Sequence, residues 1–205
     1  MRQEILYNAN KTINRLMNFD DDGNYHSENN PAVIFYDKNG KICKKCFYKH
    51  GILHNDNGPA EIHYNSFGKA QYVVWIKNGK INRENKPAEF KFENNRLVCY
   101  HYKVNGIEHR NDGPSFVSKI NNLKTEHYCV HGKYHRENGP AIIIESADRT
   151  MEYYYNNGII HNGDKPAIVI NYINGNYELA YCKNGMFHRE SGPAKIKYSN
   201  GILYN

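Results

Sequence analysis

Short runs of alternating apolar and polar residues, such as Ala60-Glu61-Ile62-His63-Tyr64, fill much of the chain. A period of two sends successive side chains to opposite faces and marks a strand with one face toward a core. The apolar positions also fall into columns. The third residue after each proline is apolar throughout, at Ile34, Ile62, Phe90, Val117, Ile143, Val169 and Ile196. An aromatic stands four residues before a recurring glycine, at Phe19, Phe47, Trp75, Tyr102, Tyr128, Tyr154 and Tyr181. Two residues after that glycine come Tyr25, Leu53, Ile81, Glu108, Tyr134, Ile160 and Phe187, apolar but for Glu108. The pattern predicts roughly fourteen short antiparallel strands in sequence order, with helix confined to the ends at most.

Columns this regular come from a repeat. All seven prolines stand in one motif, from SENNPA at 27–32 and NDNGPA at 55–60 to RESGPA at 189–194. A glycine lies eight residues before each, at Gly23, Gly51, Gly79, Gly106, Gly132, Gly158 and Gly185, a period of 26–28 residues. Five residues ahead of each proline stands His26, His54, Asn82, His109, His135, His161 or His188. Asn-Gly pairs such as Asn78-Gly79 and Asn157-Gly158 are turn signals, because both residues tolerate positive φ. Proline, lacking an N–H, suits the first position of a strand. The proline-to-glycine distance varies between 18 and 20, so length variation falls at hairpin tips near Asn39-Gly40, Phe67-Gly68, Asn94-Asn95, Asn121-Asn122, Ala147-Asp148 and Asn174-Gly175.

The expected architecture is therefore all-β: an elongated, twisted antiparallel β-meander of tandem hairpin repeats, about 27 residues per unit. Residues 1–205 read as a single repeat domain, with a capping hairpin over 1–22 and repeats starting near 23, 51, 79, 106, 132, 158 and 185. The aromatic column is expected to be the buried spine that packs repeat on repeat, with Trp75 and Tyr128 in one continuous ladder.

Composition narrows the function classes. The chain carries 18 Tyr, 8 Phe and one Trp, and a net charge of +6 from dispersed Lys and Arg. That charge permits weak attraction to nucleic acid or anionic lipid without demanding it. No stretch approaches the ~18 apolar residues of a membrane span, and the first residues lack the apolar core of a signal peptide. Five Cys at irregular spacing point to reduced thiols in a cytoplasm-like compartment, either a host cytoplasm or a virion if the chain is viral.

The unit Y-x-x-G-x-x-H-R-x-x-G-P-A resembles the MORN-type repeats, in a divergent variant found in large DNA viruses and phages, and is distantly similar to YwqK-type antitoxin repeats. The resemblance covers about residues 19–198. It departs from ordinary MORN units, which are shorter and carry Gly where this chain has His and Pro. The resemblance implies a β-meander and a scaffold or interaction role, and no shared reaction.

Several constellations bear on chemistry. His109-Arg110, His135-Arg136 and His188-Arg189, with Asn82-Arg83 as a variant, form a ladder along one edge that is able to meet phosphates or carboxylates. Arg83, Arg110, Arg136, Arg189, His109, His135 and His188 are accordingly the candidate ligand-binding residues. Against that stands a structural reading, in which each imidazole bonds within its own Gly-Pro connector and arginine is dispensable for folding. Asn82 favours it, because an amide reproduces imidazole hydrogen bonding without charge. Cys43-Lys44-Lys45-Cys46 has zinc half-site spacing, but strand residues three apart point to opposite faces, so no metal is expected there. Asp20, Asp21 and Asp22 read as a solvated tip. No catalytic motif is visible, and neither an enzyme nor a cofactor is expected. The leading expectation is a non-enzymatic scaffold for a protein partner. Binding of a phosphorylated small molecule or nucleic acid along the His/Arg edge comes second, and a membrane-surface adaptor third. Open sheet edges also allow a homo-oligomer.

Overall fold

A computed structural model describes residues 1–204. The chain is all-β, with 28 strands and, among the described residues, no helix. It divides into two compact units, Met1–Ile107 and a second beginning at Glu108.

In the first unit eight strands pair antiparallel in chain order: Arg2–Tyr7, Ile13–Phe19, Val33–Tyr36, Ile42–Cys46, Glu61–Tyr64, Ala70–Val74, Glu89–Glu93 and Arg96–His101. The second unit repeats the scheme with Phe116–Ile120, Leu123–His127, Ile142–Glu145, Arg149–Tyr153, Ile168–Tyr172, Tyr177–Ala180, Lys195–Ser199 and Ile202–Tyr204. Within each unit spatial neighbours follow sequence order, so each forms a hairpin meander. The turns sit at the expected tips. Asn94 and Asn95 both have positive φ, 49° and 62°, and bridge the Glu93–Arg96 pair, as a two-residue hairpin loop requires.

The strand count exceeds the fourteen expected, because the conserved Asn-Gly segments are hairpins in their own right. Tyr48–Lys49 pairs with Ile52–Leu53, Ile76–Lys77 with Lys80–Ile81, Cys129–Val130 with Lys133–Tyr134, Tyr155–Asn156 with Ile159–Ile160, and Cys182–Lys183 with Met186–Phe187. Both loop residues take the left-handed conformation, as at Asn78 (φ 48°) and Gly79 (φ 73°). Histidine occupies the first of these positions at His50 (φ 47°) and His131 (φ 50°). From Gly51 onward each repeat thus contributes a long hairpin to the sheet and a short one beside it, while around Gly23 only the Phe19–Tyr25 bridge forms.

The core is built from small residues, and this corrects the expectation of an aromatic spine. Ala32, Ala60, Ala88, Ala141 and Ala167, each following a motif proline, are fully inaccessible, as is Ser115 at the same position. Around Ala60 gather Val74 and Ile76, with Leu53, Tyr72 and Ile81 packed against them. Trp75 and Tyr128 are half-buried. The Trp75 ring meets Phe90 edge-on at 5.5 Å between centroids and carries Arg83 on its face, so the aromatics line the border of the sheet.

Register fixes the two faces of the first unit's sheet. Leu16, Ile34, Lys45, Ile62, Val73, Phe90 and Tyr100 face one another in turn across successive strands and form a transverse row, all half-buried. The row beside it, on the opposite face, runs through Val33, Cys46, Glu61, Val74, Glu89 and His101. Here Lys44 and His63 bond Glu61, while Tyr72, Lys103 and His101 surround Glu89. Lys44 and His63 hold Glu61 below the usual carboxylate range against its burial, and Lys103 and Tyr72 do the same for Glu89. A buried acid so surrounded is a paired structural charge.

Candidate functional site

The candidate residues lie in the segment that runs from each short hairpin into its proline. The short hairpin closes when the backbone N–H at the His position donates to the carbonyl of the column aromatic, as His54 does to Phe47 and His135 to Tyr128. This aims the side chain toward the next repeat. There the imidazole Nδ1 accepts the backbone N–H of the first turn residue: His50 onto His26 at 3.2 Å, Asn78 onto His54 at 3.1 Å, His131 onto His109 at 3.1 Å and Asn157 onto His135 at 3.3 Å. Asn82 makes the same bond through Oδ1, accepting from Asn105 at 3.0 Å. The turn glycine adds a second link, as when Gly79 donates to Leu53 O at 2.9 Å and Gly158 to Tyr134 O at 2.8 Å. The imidazole therefore joins one repeat to the next, where a bond within its own connector was expected.

The pattern weakens at the end of the chain. His161 Nδ1 is buried without a hydrogen-bond partner, its Nε2 accepts from Gly163, and the Gly185-to-Ile160 link lengthens to 3.3 Å. His188 is exposed.

Arginine makes the bond within the connector. Arg83, Arg110 and Arg136 donate through Nη1 to the carbonyls of Pro87, Pro114 and Pro140 at 3.1, 3.2 and 3.3 Å. Asn55 and Asn162, at the same position in other repeats, reach Pro59 and Pro166 at 2.9 and 2.7 Å. The guanidinium also lies flat on the column aromatic, 3.9 Å from the ring centroid for Arg83 on Trp75, Arg136 on Tyr128 and Arg189 on Tyr181. Cation–π contact of this kind contributes about 0.5–1 kcal/mol at exposed sites. Arginine is thus part of the frame where it occurs, in the role that Asn55 and Asn162 fill in other repeats. Arg136→Asn keeps the proline bond and loses only the stack, so we expect it to cost about 1 kcal/mol or less in chemical denaturation. Arg136→Gln, a side chain no repeat uses here, should cost no less.

Clefts open between successive connectors. One of about 590 Å³ is lined by His135, Arg136, Tyr154, His161 and Lys165, and one of about 350 Å³ by His161, Tyr181, Lys183, His188 and Arg189. Four of the seven candidate binding residues line these clefts, His135 with Arg136 and His188 with Arg189, each pair beside His161, while Arg83 is folded over Trp75. His109 lies under the His131 ring at 4.3 Å, and Arg110 bonds Asp112 at 2.7 Å. Among the cysteines, burial pushes the Cys46 thiol up to about 11 and the Cys129 thiol to about 12. Cys43 and Cys46 lie on one strand, Ile42–Cys46, only the second of them buried.

Two places depart from the repeat, and in both the departures meet. Glu108 interrupts an apolar column and Ser115 replaces the alanine; Ser115 Oγ donates to Glu108 Oε1 at 2.6 Å. Asp20 and His50 also meet: His50 Nδ1 and Asp20 Oδ2 lie 2.9 Å apart. Asp20 is a correction to the solvated-tip expectation, because its side chain is only 10% exposed. These convergences were missed from sequence, although each pair of departures was visible there.

The His109 imidazole lies below its ordinary pKa, first because burial disfavours the cation and then because His131 would repel it. Burial lowers His127 likewise, with Glu108 opposing. A depressed folded pKa means that the unfolded chain binds the proton more readily, so the stability these groups contribute is present above about pH 6.5 and is lost as pH falls below it. We expect the melting temperature to drop between about pH 7.5 and 5.5. His109→Asn, which copies Asn82, should flatten that drop; an unchanged profile would refute the role of His109.

No protein-family model matches the chain, and no curated protein matches it.

Proposed function

We propose that the protein is a non-enzymatic repeat scaffold of MORN-like type that presents its sheet to a protein partner. The observation that carries this reading is the transverse row Leu16, Ile34, Ile62, Val73, Phe90 and Tyr100, apolar on six strands of seven and interrupted only by Lys45. The motif residues support it from the other side: their imidazoles, guanidiniums and turn amides are used in joining repeats. A half-buried apolar row flanked by amphipathic aromatics has the composition of an interface centre. The free thiols suit a reducing compartment. Among the described residues no helix is long and apolar enough to cross a membrane.

The test is co-purification from the native source with Ile62→Glu, Phe90→Glu and the tip variant Phe67→Glu, each checked for unchanged circular dichroism. Loss of a defined partner with the first two, and its retention with the third, would support docking on the row. Retention by all three would sink it.

The clefts favour a second reading, in which an anionic ligand lies along the His/Arg edge. Arg136→Asn with Arg189→Asn, which leave the proline bonds possible, should then abolish salt-dependent binding of inorganic polyphosphate. Binding that survives both changes would exclude this edge.

A further inference from the structure

Among the described residues one group of metal-ligating side chains converges: Asp20, His26 and His50, with one donor atom from each lying within 4.8 Å of the others. Each arrives by a different route. Asp20 directly follows the strand Ile13–Phe19 and is held by its own turn, where Oδ1 accepts the Asn24 N–H at 2.8 Å. His26 lies just past the Phe19–Tyr25 bridge, buried to 4% exposure. His50 is the first turn residue of the next short hairpin, and its ring stacks on His26 at 4.3 Å between centroids. Glu28 stands 3.1 Å from His26 Nε2, a fourth donor at the rim.

The repeat supplies the argument that this group is not routine. The position of Asp20 is held elsewhere by Tyr48, Ile76, Lys103, Cys129, Tyr155 and Cys182, none of them acidic. The position of His50 is held by Asn78, Asn105, Asn157 and Asn184, with Asp22 and His131 the other exceptions. Two departures meet over a column histidine, and together they make a two-imidazole, one-carboxylate set. His131 on His109 gives the same ring stack, but there the position of Asp20 is taken by Lys103.

We propose that Asp20, His26 and His50 bind a late first-row divalent cation of the zinc class. Two nitrogens and one oxygen suit that class, whereas magnesium and calcium take oxygen donors. Zinc–ligand bonds of about 2.0–2.2 Å put donor atoms roughly 3.4 Å apart, so the donors must shift to surround an ion. The Asp20 and His26 side chains are 10% and 6% exposed, while His50, at 63%, lies on the open side of the group. Ligation through His26 Nδ1 exchanges the His50 amide hydrogen bond for the metal–nitrogen bond. The ion would tie the first short hairpin to the segment before it.

The test is calorimetric titration of the full chain with zinc chloride at neutral pH, alongside Asp20→Asn, His50→Asn and His131→Asn. His50→Asn installs the residue that the same turn carries in four other repeats, so folding is preserved. One equivalent should bind the wild type, Asp20→Asn and His50→Asn should each weaken binding by more than about tenfold, and His131→Asn should leave it unchanged. Absence of binding to the wild type, or binding that both Asp20→Asn and His50→Asn leave intact, would overturn the proposal.

Discussion

Replacing Ala60 with Leu is expected to destabilise the first unit by about 3 kcal/mol, the upper end of the usual cost of overpacking. Ala60 is inaccessible, its N–H bonds Val74 O and its carbonyl accepts from Phe47, so the backbone has no direction in which to yield. Its methyl faces Val74 and Ile76 with Leu53 and Ile81 from the short hairpins, and three further carbons would have to displace them. Trp75→Ala should cost less, about 2 kcal/mol, because the ring is half-buried and a truncated site at the border is refilled by water. Urea unfolding midpoints decide the order. A larger loss from Trp75→Ala than from Ala60→Leu would restore the aromatic column as the spine.

Ser115→Ala is expected to cost about 2 kcal/mol, although it installs the residue that the other repeats carry. Ser115 Oγ donates to Glu108 and accepts from the Cys129 N–H, and its removal leaves the half-buried Glu108 carboxylate without that donor. Glu108→Ile, which removes the charge itself, should be close to neutral, since Ser115 still has His127 O at 3.1 Å as an acceptor. The double variant recovers the repeat pattern at both positions and should be at least as stable as the wild type. The two changes therefore couple by more than about 1 kcal/mol, which a double-mutant cycle measures directly. Additive effects would show that the pair does not act as a unit.

Both expectations turn on how a repeat conveys its own structure. A motif that recurs seven times announces its backbone, because φ preferences of Gly, Asn and Pro act within two or three residues. The tips at Gly40, Gly68, Asn94-Asn95 and Gly175 take positive φ where the sequence placed turns. The substitution of Asn82 for histidine likewise carried readable chemistry: an uncharged acceptor was needed, and its Oδ1 accepts.

What the histidine accepts from was not readable. His54 and Asn78 are 24 residues apart, and His109 and His131 are 22 apart, so no local preference encodes their bond. Distance along the chain also hid the burial of Asp20 under His50, which lie 30 residues apart. The bond by which arginine, and not histidine, holds the proline carbonyl spans only four residues, and it was missed from sequence because that role was given to the imidazole. The sequence by itself determined an all-β meander, its period, its variable tips and the columns of its unit, because these follow from side-chain alternation and turn stereochemistry. Only the tertiary structure decided which column is core, placing alanine inside and the aromatics at the border, because stacking one short hairpin on the next leaves room there for a methyl group and no more.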